Sequence, residues 1–273
     1  MEFRRLGNSG LKVSQFSYGS WVTFGRQVDI QSAKSLVKYA LDEGVNFFDN
    51  AEVYANGQSE EVMGEVFRQL EVPRHHYILS TKFFWGIEKR VNLQNTLNRK
   101  YLLNAMEGSL KRLRLDYVDL AYCHRPDPET SIEEVVMTMH DIVHRGQALY
   151  WATSEWDAVS IRKAYDFAVQ NGFHRPIVEQ PQYNLLVREK VEREFASHYK
   201  EIGLGLTTWS PLASGILTGK YNKEIPKNSR LAQPNMSWLQ EELHKPETKK
   251  TLKNMETVSK ETGVSMTHLA RVS

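Results

Sequence analysis

The chain of 273 residues is 41% hydrophobic and 25% charged, enough to bury a full core and too apolar for intrinsic disorder. Its formal charge of +2 is mild and its basic residues are scattered, which excludes a nucleic-acid footprint. The single Cys123 permits no internal disulfide, no apolar run approaches the roughly 20 residues of a membrane helix, and residues 1–7 lack a signal-peptide core. A cytoplasmic protein without membrane insertion is expected.

Strand and helix alternate along the chain. Residues 2–13 read as a hairpin turning at Gly7-Asn8-Ser9-Gly10, and 15–19 as a first strand. Ala33, Leu36, Val37, Ala40 and Leu41 give 30–43 a helical face, which Gly44 stops. A strand over 45–49 ends at Asp49, and a helix over 59–70 follows with Ser59 as its cap. Strand 77–82 ends at Lys82, before a helix over 99–113. Strand 120–124 ends at His124, and Ser131-Ile132-Glu133-Glu134 has capping-box spacing for a helix to about 145. Then come strand 148–154, helix 159–171 closed by Gly172, strand 177–180, helix 189–200 and strand 203–209. Polar residues 221–247 read as a loop or lid with little regular pattern, and 252–262 and 265 onward as helices. Repeated βα units without a linker predict one domain over 1–273, an α/β barrel of the (β/α)8 TIM type. Seven barrel strands are counted where closure needs eight, so the eighth βα unit is expected to be missing.

Three of these strands end in an ionisable residue: Asp49, Lys82 and His124. In a parallel barrel the carboxyl ends of the strands form the active-site face, which places all three in one mouth with Tyr54 within reach. Together they suit proton transfer. A tyrosine with pKa near 10 gives up its proton more readily beside a cation, which Lys82 would supply and Asp49 would hold in place. His124 would donate a hydrogen bond that orients a carbonyl. Singly, each has a bland reading: a helix cap, a loop aromatic, a solvated strand end.

Other motifs are weaker. Cys123 and His124 point to opposite faces of a strand, and His75-His76 has no companion at zinc spacing, so no metal site is expected. Gly215-Ile216-Leu217-Thr218-Gly219-Lys220 has three residues between its glycines rather than four, and Tyr221 stands where a magnesium-holding hydroxyl would be. It is not a Walker loop, though its amides and Lys220 would suit a cofactor phosphate. The absence of G-x-G-x-x-G after the first strand disfavours a Rossmann dehydrogenase.

Six stretches carry a family resemblance: Gly19-Ser20-Trp21-Val22-Thr23-Phe24-Gly25, Phe48-Asp49-Asn50-Ala51-Glu52-Val53-Tyr54, Ser80-Thr81-Lys82, His124-Arg125-Pro126-Asp127-Pro128, Glu179-Gln180 and Thr208-Trp209-Ser210-Pro211-Leu212-Ala213-Ser214-Gly215. The chain resembles the aldo-keto reductases, in the branch that holds potassium-channel β subunits and bacterial relatives. That resemblance implies a (β/α)8 barrel plugged at its bottom by the hairpin, and NADPH-dependent reduction of a small carbonyl compound. It implies Tyr54 as proton donor with Asp49, Lys82 and His124 completing the tetrad. It also implies cofactor contacts from Ser20, Trp21, Gln27, Asp49, Ser154, Gln180, Trp209, Ser210, Pro211, Leu212, Ala213, Ser214, Lys220 and Arg230, with Gln180 on the nicotinamide carboxamide. Trp21, Tyr54, Trp85 and Trp156 would wall the pocket. Channel β subunits carry asparagine where this chain has His124, which favours a reductase, and Glu155 replaces an arginine often found beside the cofactor. Two other expectations remain open: a cofactor-sensing β-subunit-like binding module, or an inactive truncated reductase. Unpaired strand edges would also suit a homo-oligomer.

Overall fold

The computed structural model describes residues 1–25, 27–222, 224–233 and 237–272. They divide into two compact units, residues 1–180 with 197–206 and residues 181–196 with 207–273.

The first unit opens with the expected hairpin, β1 (Phe3–Arg5) and β2 (Lys12–Ser14), paired antiparallel in the register Arg4↔Val13. Seven parallel strands follow in chain order: β3 (Tyr18–Gly19), β4 (Phe47–Asp49), β5 (Ile78–Phe83), β6 (Val118–Cys123), β7 (Ala148–Ser154), β8 (Val178–Gln180) and β9 (Gly205–Leu206). Helices α1 (Ile30–Asp42), α2 (Gln58–Leu70), α3 (Arg99–Leu113), α4 (Ile132–His144), α5 (Ala158–Gln170) and α6 (Ala196–Glu201) separate them. This is the βα order of a (β/α)8-type barrel, with seven of its strands among the described residues.

Side chains alternate across each strand, and that period places the site. On one face Phe47, Ile78, Leu120, Tyr122, Ala152 and Val178 form an apolar cluster with Leu6 and Val13 of the hairpin. Burial of each Leu, Ile, Val or Phe among them contributes roughly 1.5–3 kcal/mol. Two or four residues further along the same face stand Asp49, Lys82, His124, Ser154 and Gln180. The hairpin and the polar ends therefore lie at opposite ends of one apolar plug. Gly7 fixes the near end: its φ is +57°, and a Cβ there would lie 2.6 Å from the Gly205 amide nitrogen.

Most helix starts have local causes. Asp29, Asn98, Ser131 and Asp157 cap α1, α3, α4 and α5 by accepting the amide three residues on. Ser59 is not the expected cap. Helix α2 begins a residue earlier behind Gly57, at φ +91°, and Ser59 is buried with its hydroxyl unpartnered among the described residues. The helix expected over 189–200 is a widened turn, Lys190–Glu194, followed by α6. The Phe195 amide closes that turn on the Lys190 carbonyl at 2.9 Å, with the Phe195 ring fully buried.

In the second unit Trp209 forms an isolated parallel bridge with Gln182, so the strand expected over 203–209 is split: β9 ends at Leu206. The expected lid is not irregular. It contains a 3-10 turn (Arg230–Ala232), α7 (Ser237–His244) and the start of α8 (Pro246–Thr262), ahead of α9 (Met266–Val272). Leu239 and Leu243 bury one face of α7, and Thr248, 1% exposed, takes a core place that polarity disguises. Positions 223 and 234–236 of that stretch, and Ser273 where the chain was expected to break off, lie outside the described residues.

Candidate active site

The expected tetrad comes together in the first unit. Lys82 is fully buried, and its Nζ donates to Asp49 Oδ2 at 2.6 Å, to the Asn50 carbonyl at 2.7 Å and to Tyr54 Oη at 3.3 Å. The other carboxylate oxygen of Asp49 accepts from Ser80 Oγ at 2.8 Å and Gln180 Nε2 at 3.2 Å. Tyr54 opens a tight 3-10 turn (Tyr54–Gly57) in which Ala55 and Asn56 both have positive φ. Its ring lies edge-on to His124, centroids 5.9 Å apart, and 6.5 Å from Trp21. His124 is 5% exposed and its Nδ1 has no partner among the described residues. Trp85 meets the same imidazole at 4.5 Å, and the Arg125 guanidinium stacks over Trp85 at 4.8 Å.

Burial sets the protonation states. It raises the pKa of Tyr54, and Lys82 offsets only part of that rise, so the phenol keeps its proton at neutral pH. Burial alone would lower Lys82, but Asp49 and Tyr54 outweigh it and hold the ammonium charged. Burial, then Lys82 and Arg125, push His124 well below its ordinary value, so the ring is neutral. A protonated phenol beside a fixed ammonium, with a neutral imidazole next to it, is a set that can give a proton to a carbonyl oxygen.

The remaining expected residues of this unit are placed as follows. Ser20 is buried, and its amide and hydroxyl both donate to the Asp49 carbonyl, at 3.1 and 3.0 Å. Trp21 is exposed, as is Gln27, whose amide donates to the Thr23 carbonyl. Ser154 Oγ donates to the Gln180 carbonyl at 2.9 Å and so helps fix Gln180. Trp156 is 2% exposed. Sequence reading passed over Ser80, although it lies two residues before Lys82 on the same strand face, and Arg125, which directly follows His124. No group of three or more His, Cys, Asp or Glu suited to a metal is found among the described residues.

The second unit carries the other expected cofactor residues. Trp209 and Ser210 lead into a 3-10 turn (Ala213–Thr218), with Pro211 and Leu212 between. Ser210, Ala213, Ser214, Gly215 and Gly219 all have positive φ. Such backbone turns gather amides into an anion-binding concavity. A Cβ on Gly215 would lie 3.0 Å from Lys220 Nζ, and the buried Ser214 hydroxyl has no partner among the described residues. Arg230 is half-buried, and burial lowers its pKa. A cation and an unspent hydroxyl beside this positive-φ backbone would suit an anionic group.

The sequence model of the Aldo/keto reductase family matches residues 15–271. The chain belongs to this family. A "Probable voltage-gated potassium channel subunit beta" of Oryza sativa subsp. japonica is 50% identical over 271 residues, which cover 99% of this chain and 82% of the relative. The protein of the same name from Arabidopsis thaliana is 48% identical over 271 residues, with the same coverage. This aldo/keto reductase is therefore similar over nearly its whole length to proteins named as channel subunits.

Proposed function

We propose that this aldo/keto reductase reduces small aldehydes or ketones to alcohols with NADPH, and that Tyr54 donates the proton. The observation that carries this reading is the buried ammonium of Lys82 between the Asp49 carboxylate, at 2.6 Å, and the Tyr54 hydroxyl, at 3.3 Å. NADPH, when bound, supplies the hydride. Lys82 stabilises the phenolate that Tyr54 becomes as its proton passes to the substrate oxygen, and Asp49 keeps Lys82 in line. His124, neutral and with an unspent ring nitrogen, holds the carbonyl oxygen in place, and Trp21 and Trp85 exclude water around it. Gln180, tied to Asp49 and Ser154, is suited to a carboxamide. Ser214, Lys220 and Arg230 are suited to phosphates.

Replacing Tyr54 with Phe tests this directly. Carbonyl reduction should fall by about 10²–10⁴-fold, the usual worth of a positioned acid, while NADPH still quenches tryptophan fluorescence with wild-type affinity. Unchanged turnover would sink the assignment.

The names of the relatives favour a second reading, a cofactor-sensing subunit that associates with a channel. Recovery of a channel partner, together with turnover by the pure protein no faster than that of Tyr54→Phe, would select it.

A further inference from the structure

Among the buried glutamates beside the site are Glu60 and Glu52, and the proposed mechanism uses neither. Glu60, at the start of α2, is fully buried: its Oε1 accepts from Thr81 Oγ1 at 2.5 Å and its Oε2 from Arg112 Nε at 2.7 Å. Arg112 reaches it through space left by two glycines, for a Cβ on Gly57 would lie 2.9 Å from Arg112 Cδ and one on Gly108 3.1 Å from its Nη1. Glu52 is 2% exposed, and its amide donates to the Lys82 carbonyl at 3.3 Å.

The Glu52 side chain turns toward the segment after β5. Its Oε1 accepts the Gly86 amide at 3.2 Å. Trp85, directly before Gly86, packs on His124 at 4.5 Å. Gly86 has φ +69°, and a Cβ there would overlap the Leu93 carbonyl, so the turn has little room to shift on its other side. Tyr101 Oη, from α3, shares the Gly86 amide at 3.2 Å.

We propose that Glu52 is a positioning residue for the carbonyl pocket: by accepting the Gly86 amide it fixes the turn that holds the Trp85 indole against His124. The inference rests on the reductase reading for its kinetic consequence and on geometry alone for the position of Trp85. A carboxylate accepts an amide hydrogen bond about twice as strongly as a neutral acid, so the grip follows the charge on Glu52. Burial and the neighbouring Glu60 raise its pKa to about 8, and Arg112 opposes them. The groups facing Trp85 itself titrate elsewhere, with His124 held well below its ordinary value by burial and Arg125 lowered from its own very high one.

The test follows tryptophan emission of the full chain from about pH 6 to pH 10, in wild type, Glu52→Gln and Trp85→Phe. Wild type should show a transition centred near 8. Trp85→Phe should lose it because the reporter is gone, and Glu52→Gln because the titrating group is gone. Persistence of the transition in either variant overturns the proposal. Subtracting the Trp85→Phe curve from wild type tests the same point without disturbing Glu52, and a flat difference overturns it. With a carbonyl substrate at pH 9, Glu52→Gln should raise KM about 5-fold, the worth of one hydrogen bond, with kcat within about 2-fold. An unchanged KM, or a loss confined to kcat, also overturns it. Absence of turnover in wild type would count against the reductase reading and leave the emission experiment decisive for Glu52.

Discussion

Lys82 carries its charge into a place where an unpaired ammonium would be intolerable. It remains ionised because three acceptors converge on one nitrogen: the Asp49 carboxylate, the Asn50 carbonyl and the Tyr54 hydroxyl. Breaking such a pair from one side costs more than the pair contributes, since the other charge stays buried. Asp49→Asn should therefore lower the stability to urea by about 3 kcal/mol as well as slow catalysis. Lys82→Met should reduce kcat by at least about 100-fold. His124 supplies a pH test. With its ring held neutral well below the ordinary histidine value, the rate should show no histidine limb between about pH 6 and 8, and the wild-type and His124→Gln profiles should run parallel there. A limb near 6.5 that vanishes in the variant would overturn that assignment. Asp49, Lys82 and His124 were legible because each ends an apolar strand run. Glu52 was not: the groups around it, Gly86, Glu60 and Arg112, come from three separate segments of the chain.

Helices α2 and α3 approach so closely that a Cβ on Gly64 would overlap the Leu113 carbonyl oxygen. Alanine has the better helix propensity by about 1 kcal/mol, but forcing a methyl onto rigid backbone costs about 1–3 kcal/mol, so Gly64→Ala should be destabilising. A lower urea midpoint with an unchanged slope would show it, and a higher midpoint would refute it. At this scale the sequence was read best where a cap marks the start, as Ser131 does for α4. It was misread where burial and polarity part company. Ser59 looked like a cap but is packed inside α2, and the polar run opening α8 hid Thr248 in a core position.

For the whole molecule, the order of seven parallel strands followed from alternation alone, while the short strands β8 and β9 and the bridge at Trp209 depend on pairings far apart in sequence. NADPH bound to the folded chain should raise its thermal midpoint by mass action, by the equivalent of about 2.7 kcal/mol at a hundred times its Kd. Absence of any shift would count against the cofactor assignment. The buried Glu52 has a further consequence for folding itself. Its pKa of about 8 lies above the unfolded value of 4.5, so its contribution to stability is lost as pH rises from the lower value to the higher. At pH 7 the folded chain keeps close to one proton that the unfolded chain releases, and so Glu52 makes folding draw that proton from the buffer. The calorimetric heat of unfolding should then depend on the ionisation enthalpy of the buffer, more strongly in wild type than in Glu52→Gln.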